Sequence, residues 1–197
     1  MKYLFLLCTI LLFANAQAQS PKGKREFYEL RLYHYQSAEQ EKTLHTFFRD
    51  ALIPALHRNN IKSVGVFTAL KNDTAQVKDI YVLIPHAKLE SVIDVEKKLR
   101  MDKAYLDAGT DYINGNNEKR PYTKYETILM QAFHLAPKMQ KPDLKGPRSE
   151  RVYELRSYHS ATEKLYRNKV EMFNEGGEIA LFKDLGFNAI FYGEVIA

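Results

Sequence analysis

The chain has one cysteine and no tryptophan, and its charge excess is small. Cys8 lies in an apolar run near the N-terminus, and no cysteine follows it. A disulfide framework and thiol catalysis are therefore excluded for the rest of the chain. The formal charge of +5 is spread over both signs, whereas a nucleic-acid-binding surface is typically clustered and more basic. The sequence also contains no glycine-rich phosphate loop and no Gly-x-Ser-x-Gly motif.

The first residues are typical of a secretory signal peptide. Lys2 provides a positive start, residues 4–13 form an apolar core, and Ala16-Gln17-Ala18 provides a small-x-small cleavage site. The apolar run is too short to span a bilayer. We therefore predict a signal peptide over residues 1–18 and a secreted or periplasmic protein without membrane contact after cleavage. The alternative is an uncleaved anchor.

A heptapeptide occurs twice in the chain. Residues 28–34 read Tyr-Glu-Leu-Arg-Leu-Tyr-His, and residues 153–159 repeat them with serine in place of the second leucine. Each copy is followed by a candidate helix cap, an amphipathic helix and a strand pattern that contains or follows glycine. Similarity of this extent indicates a duplicated structural unit.

The first copy predicts a unit over residues 25–135 with the order β-α-β-β-α-β. Polarity alternates over residues 27–35, which indicates a strand, and Ser37 with Gln40 forms a capping box before an amphipathic helix. Pro54 is expected to kink that helix. The remaining predicted elements are strands over 61–70, 79–84 and 125–134 and a second helix after Pro85. This order is that of a ferredoxin-like unit.

The second copy is shorter than the first. Residues 136–149 are rich in proline and glycine and form a predicted linker, and residues 150–197 form a partial second unit. The pattern there predicts a strand over 151–159, a helix capped by Ser160 and interrupted at Gly176-Gly177, and a strand over 187–196. Half of the unit is missing, so we expect a natural protein about 60 residues longer. The alternative is a true terminus stabilised by dimerisation.

These features resemble the NIPSNAP family. The resemblance covers residues 26–134 and the half copy from residue 150, and short motifs carry it. They are Tyr28-Glu29-Leu30-Arg31 with Tyr33, Phe48-Arg49-Asp50 with Pro54, Ile61, Gly65-Val66-Phe67-Thr68, Tyr153-Glu154-Leu155-Arg156 with Tyr158, and Gly186-Phe187.

The resemblance implies an α+β fold of the dimeric α/β-barrel type, in which two ferredoxin-like units pair their sheets around a shared interior. The units would pair within one chain or between two copies. Members of the family have been linked to vesicle transport and mitochondrial quality control in animals. No agreed set of catalytic residues accompanies the motif, so the resemblance assigns none to this chain.

Strand alternation supplies a candidate pocket. It places Tyr28, Leu30 and Leu32 on one face of the first strand, and we expect that face to pack beneath the helices. The other face would then line the barrel interior. The candidate pocket residues are Glu29, Arg31 and Tyr33, with Glu154, Arg156 and Tyr158 from the second copy. Such a set could orient an anionic or aromatic ligand, or supply a general base. In the interpretation we favour, each Glu-Arg pair neutralises itself and serves the structure.

The histidines do not predict a metal or haem site. The sequence has no His-x-x-x-His pair, no Glu-x-x-His motif and no cysteine ligand after position 8. We therefore expect no metal and no other cofactor. The predicted function is a non-catalytic binding or interaction module that takes a small-molecule or protein ligand. The alternative is a small-molecule enzyme, cofactor-free or haem-dependent, of the oxygenase or isomerase type, with the polar barrel interior as its site.

Overall fold

Five antiparallel strands form one sheet in the computed structural model, which describes residues 24–197. The predicted signal peptide, residues 1–18, lies outside the described residues. The order of the strands across the sheet is β2-β3-β1-β4-β5. They are β1 (Phe27–Tyr35), β2 (Gly65–Thr68), β3 (Lys78–His86), β4 (Lys124–Ala132) and β5 (Gly193–Val195).

Helices connect the strands. Between β1 and β4 the chain runs strand, helices, two strands, helices, strand, which is the predicted order. The helices are α1 (Ala38–Thr46), α2 (Ile53–Arg58), α3 (Glu90–Leu99), α4 (Lys103–Ala108), α5 (Thr110–Ile113), α6 (Glu163–Phe173) and α7 (Glu178–Asp184). Short 3₁₀ turns cover Leu70–Asp73 and Arg148–Glu150. The chain is thus an α+β structure with a single antiparallel sheet.

The first strand of the chain, β1, lies in the middle of the sheet. It pairs with β3 on one side, where Arg31 lies opposite Val82, and with β4 on the other, where Arg31 lies opposite Thr127. Its sequence places apolar or aromatic residues on both faces, which suits a strand that packs on both faces. Both faces of β1 are accordingly buried along most of its length.

The start of the first helical segment follows from a capping box. The Ser37 hydroxyl accepts a hydrogen bond from the backbone N–H of Gln40 at 3.1 Å, and the Gln40 side-chain oxygen accepts one from the backbone N–H of Ser37 at 3.4 Å. Two N–H groups at the helix start are thereby satisfied. The predicted capping box is confirmed.

A π-helical turn lies just before Pro54, where a kink is predicted. Residues 47–52 are π-helical, and the backbone N–H of Ile53 donates to the carbonyl of Phe48, five residues back. Proline has no N–H and its ring crowds the carbonyl four residues earlier, so a wider turn just before it relieves the conflict. The turn directs four buried side chains toward the sheet, which are Phe47, Phe48, Ala51 and Leu52.

Each face of the sheet has its own core. The helix-covered face carries Tyr33 and Tyr35 of β1 with Ile80, Val82 and Ile84 of β3, and packs against α1, the π turn, α2 and α3. The second face carries Tyr28 and Leu30 and packs against Met139, Ile190 and Phe191 of the later chain. The predicted facing of β1 was therefore wrong. Tyr28 and Leu30 point away from the helices, and Glu29, Arg31 and Tyr33 point toward them.

The second heptapeptide does not form the predicted strand. Residues 151–160 have no regular secondary structure and are mostly exposed. The helix that follows is capped by Thr162, whose hydroxyl accepts from the backbone N–H of Leu165 at 3.2 Å, and not by Ser160 as predicted. The predicted break at Gly176-Gly177 is confirmed, because α6 ends before it and Gly177 has a φ of 81° that favours glycine. Of the predicted strand over 187–196, only β5 (Gly193–Val195) is a strand in the structure.

Residues 193–197 bond to β4 of the same sheet. β5 pairs antiparallel with β4, and the backbone N–H of Leu129 donates to the carbonyl of Ala197 at 2.7 Å. Arg25 bridges the same strands, because its side chain bonds the carbonyl of Ala132 and pairs with Glu194 at 2.7 Å. The start of the predicted linker is also bonded to the later part of the chain, because the backbone N–H of Gln140 donates to the carbonyl of Ile190 at 2.7 Å. Within residues 24–197, none of the helices is long and apolar enough to cross a membrane.

Candidate functional site

An ion pair is buried between β1 and the helices. The Nε of Arg31 donates to a carboxylate oxygen of Glu29 at 2.6 Å, and both side chains are almost fully removed from solvent. The two residues alternate with Leu30 on the strand, so they share one face and reach each other directly. Charges buried in this way require partners for their remaining hydrogen-bonding positions.

Two further residues complete the network. The ring Nε2 of His86, on β3, donates to the second carboxylate oxygen of Glu29 at 3.1 Å. The Nη2 of Arg31 donates to Glu96, on α3, at 2.6 Å. His86 is buried and its Nδ1 has no hydrogen-bond partner, so the tautomer with hydrogen on Nε2 satisfies Glu29 without burying an unmatched N–H. The network therefore joins β1, β3 and α3.

Tyrosines surround the arginine. Tyr33 lies on the same face of β1 and makes edge contacts with Tyr112 and Tyr122, with ring centroids 6.3 and 5.8 Å away. Its ring is also 4.9 Å from that of Tyr125 on β4. Burial raises the pKa of the Tyr33 phenol well above its ordinary value, and the nearby Arg31 charge only partly offsets this. The Tyr33 phenol therefore remains a neutral donor at physiological pH.

The carboxylate of Glu29 is held in its ionised form. Burial alone would raise its pKa, but the hydrogen bond from His86 and the charge and hydrogen bond of Arg31 outweigh it and hold the pKa below the ordinary value. A general base that works near neutral pH needs a carboxyl pKa raised toward that pH. Glu29 is thus a weak base whose acceptor positions are already in use.

The lowered pKa of Glu29 predicts an acid-sensitive contribution to stability. A carboxyl whose pKa is lower in the folded state stabilises the fold above its unfolded pKa, about 4.5, and loses this contribution as the pH falls through the folded pKa. We therefore expect the stability advantage of the natural protein over Glu29→Gln to narrow below about pH 4.5. Urea unfolding of both proteins across a pH series would measure it. A difference in unfolding free energy between the two proteins that stays constant as the pH falls well below about 4.5 would contradict the prediction.

The second predicted triplet lies elsewhere. Arg156 donates from Nε and Nη2 to the two oxygens of Glu154 at 2.9 Å each, but both side chains are substantially exposed. The guanidinium of Arg156 lies 5.7 Å from the ring centroid of Phe187, and Tyr158 packs on Phe173. Within residues 24–197, no hydrogen bond or ion pair joins these residues to Glu29, Arg31 or Tyr33. The structure brings each triplet together separately, and their joint role in ligand binding stays a prediction.

Two members of the network, His86 and Glu96, were absent from the predicted site. The sequence carried one signal for Glu96, a charged residue at a position on the apolar side of its helix. His86 follows a β-branched strand pattern and carries no comparable signal. The three-dimensional pairing of β1 with β3 is what brings it to Glu29.

Neither of two open clefts on the surface is lined by residues of the network. One of about 500 Å³ lies between α6 and β5 and is lined by residues such as Tyr166 and Glu194. Another of about 270 Å³ lies between α1 and α5 beside Tyr112. Among residues 24–197, no three histidine, cysteine, aspartate or glutamate side chains are grouped so as to hold a metal ion.

No protein-family model matches the sequence, and no curated protein matches it significantly. The resemblance to the NIPSNAP family therefore stays a prediction that depends on the duplicated Tyr-Glu-Leu-Arg motif and its surroundings.

Proposed function

We propose that the chain is an exported, non-catalytic binding or interaction module of the NIPSNAP type. The observation that carries the proposal is the state of Glu29. This carboxylate accepts hydrogen bonds from Arg31 and His86 and is ionised well below neutral pH, which suits a structural or ligand-orienting charge and does not suit a proton acceptor.

The architecture we propose is a pair of ferredoxin-like units of which the second is incomplete. The order of elements from β1 to β4 supports the first unit. The Glu154–Arg156 contact supports the second, because it repeats the Glu29–Arg31 contact at equivalent positions of the repeat. The difference between the copies lies in their surroundings, since β3 and α3 cover only the first pair.

We further propose that a second copy of the chain is a partner, and that it docks at β5. This strand forms one end of the sheet, so its outer edge has no strand partner among residues 24–197. Open edges are sites where another strand adds by backbone hydrogen bonds. The apolar residues at this edge are exposed, since Val195 and Ile196 are 56% and 44% exposed. Antiparallel pairing of two β5 strands would form a symmetric contact that uses the same surface on both copies.

Sedimentation of the purified chain tests this partner. We expect a dimer for the natural sequence and a monomer for Val195→Lys, because a lysine at an open edge opposes strand addition. Leu70→Lys is the matched control, since Leu70 is 78% exposed on a remote 3₁₀ turn and the same charge is introduced there. A natural chain that remains monomeric at all concentrations, or a Val195→Lys dimer as stable as that of the control, would overturn docking at β5.

A further inference from the structure

The two carboxylates that hold Arg31 differ in their access to solvent. The Glu29 side chain is 4% exposed and lies beneath the helices, whereas the Glu96 side chain is 41% exposed on the outer part of α3. Both accept from Arg31 at 2.6 Å. Glu29 is therefore a permanent partner of the arginine, and Glu96 is a partner that solvent reaches.

Tyr105 and Tyr125 both lie near Arg31. Tyr125 lies beside Tyr33 on the adjacent strand and is 39% exposed. Tyr105, on α4, is close enough to Glu96 and Arg31 for both charges to act on its pKa, which burial raises to about 12. A planar group that reached Arg31 from solvent would thus meet phenol rings beside the guanidinium.

We propose that Arg31 is the binding site for a small aromatic carboxylate, whose carboxylate replaces that of Glu96. A guanidinium pairs with a carboxylate through parallel N–H donors, and Tyr105 and Tyr125 offer faces or edges for the ligand ring. This inference rests on the proposed function as a binding module and names the class of ligand.

The exchange is energetically balanced. One carboxylate leaves Arg31 as another arrives, so the buried guanidinium is never left unpaired, which would be the costly outcome. Glu96 is released toward solvent, where it is already partly exposed. Because Glu96 belongs to the same chain, it competes at a high effective concentration and weakens the apparent affinity of the natural protein.

Titration with benzoate tests the exchange. Glu96→Gln removes the competing charge and retains the side-chain shape, so we expect it to bind benzoate about tenfold tighter than the natural protein, or more. Glu90→Gln is the matched control, because Glu90 is an exposed acid at the start of the same helix and its loss changes the net charge equally. We expect this control to bind benzoate as the natural protein does. Equal benzoate affinity in the two variants would overturn the proposal.

A second measurement locates the ligand. In nitrogen-15-labelled protein, we expect benzoate to shift the side-chain Nε resonance of Arg31 in Glu96→Gln at the same concentrations that give the calorimetric signal. Binding that leaves this resonance unchanged would overturn the assignment to Arg31. This readout requires no variant of the buried arginine and therefore does not depend on such a variant folding.

The aromatic part of the ligand is tested by comparison with acetate. We expect benzoate to bind Glu96→Gln about tenfold tighter than acetate, because only benzoate contacts the tyrosine rings. Equal affinities would overturn the aromatic class. Sedimentation of Val195→Lys is independent of these titrations, so failure here and failure of the β5 contact are distinguishable.

Discussion

Replacing Arg31 by alanine lowers the free energy of unfolding by about 3 to 5 kcal/mol. The change removes the guanidinium that pairs with Glu29, which is 3% exposed and would remain charged beneath the helices. His86 still donates one hydrogen bond to it, but a buried carboxylate without its cation carries a large desolvation cost. Urea unfolding of the natural protein and the variant measures the difference.

The repeat supplies the matched control for Arg31. Arg156→Ala removes the equivalent arginine from the equivalent glutamate, but Glu154 is exposed and water takes over the lost hydrogen bonds. We expect the unfolding midpoint of Arg156→Ala to stay at that of the natural protein. If both variants lost the same stability, burial would not be the reason for the effect at Arg31.

Replacing Phe48 by alanine lowers the free energy of unfolding by about 3 to 5 kcal/mol. Phe48 lies in the π-helical turn and is 2% exposed, with its ring 5.1 Å from Tyr33 and 5.7 Å from Phe47. The smaller side chain leaves a cavity between the turn and the sheet, and the surrounding rings lose contact on one side. Chemical denaturation followed by tyrosine fluorescence reports the loss.

Ile93→Ala serves as the surface control for Phe48. Ile93 is apolar and helical but 61% exposed on α3, so its truncation removes little buried area and should change stability by less than about 0.5 kcal/mol. A loss at Phe48 no larger than that at Ile93 would show that the π turn does not contribute to the core as described.

The elements that the sequence predicted well have strong local signals. The capping box at Ser37 and the alternation in β1 depend on residues close to one another in the chain. The face of β1 that meets the helices was not predictable in this way, because tyrosines occupy both faces of the strand. The charged pair was expected to avoid the helices, yet paired charges can be buried when their hydrogen-bonding positions are filled.

Residues 153–159 show why sequence identity with β1 was insufficient to predict a second strand. β1 is a strand between β3 and β4, which satisfy its backbone groups on both sides. The second copy has no such neighbours within the described residues, and its backbone remains irregular and exposed. Strand formation depends on packing and pairing with neighbours more than on intrinsic preference, so the same residues adopt different structures in the two places.

The central position of β1 has a consequence for how the protein folds. β1 precedes both of its neighbours in the chain, and β4 ends only at Ala132. The hydrogen bonds on both sides of β1 therefore cannot all form until the chain has been synthesised as far as residue 132. These hydrogen bonds join segments that are far apart in sequence. Contacts of this kind make folding slow compared with that of helical proteins of equal size. Until β4 is available, one side of β1 lacks its partner strand.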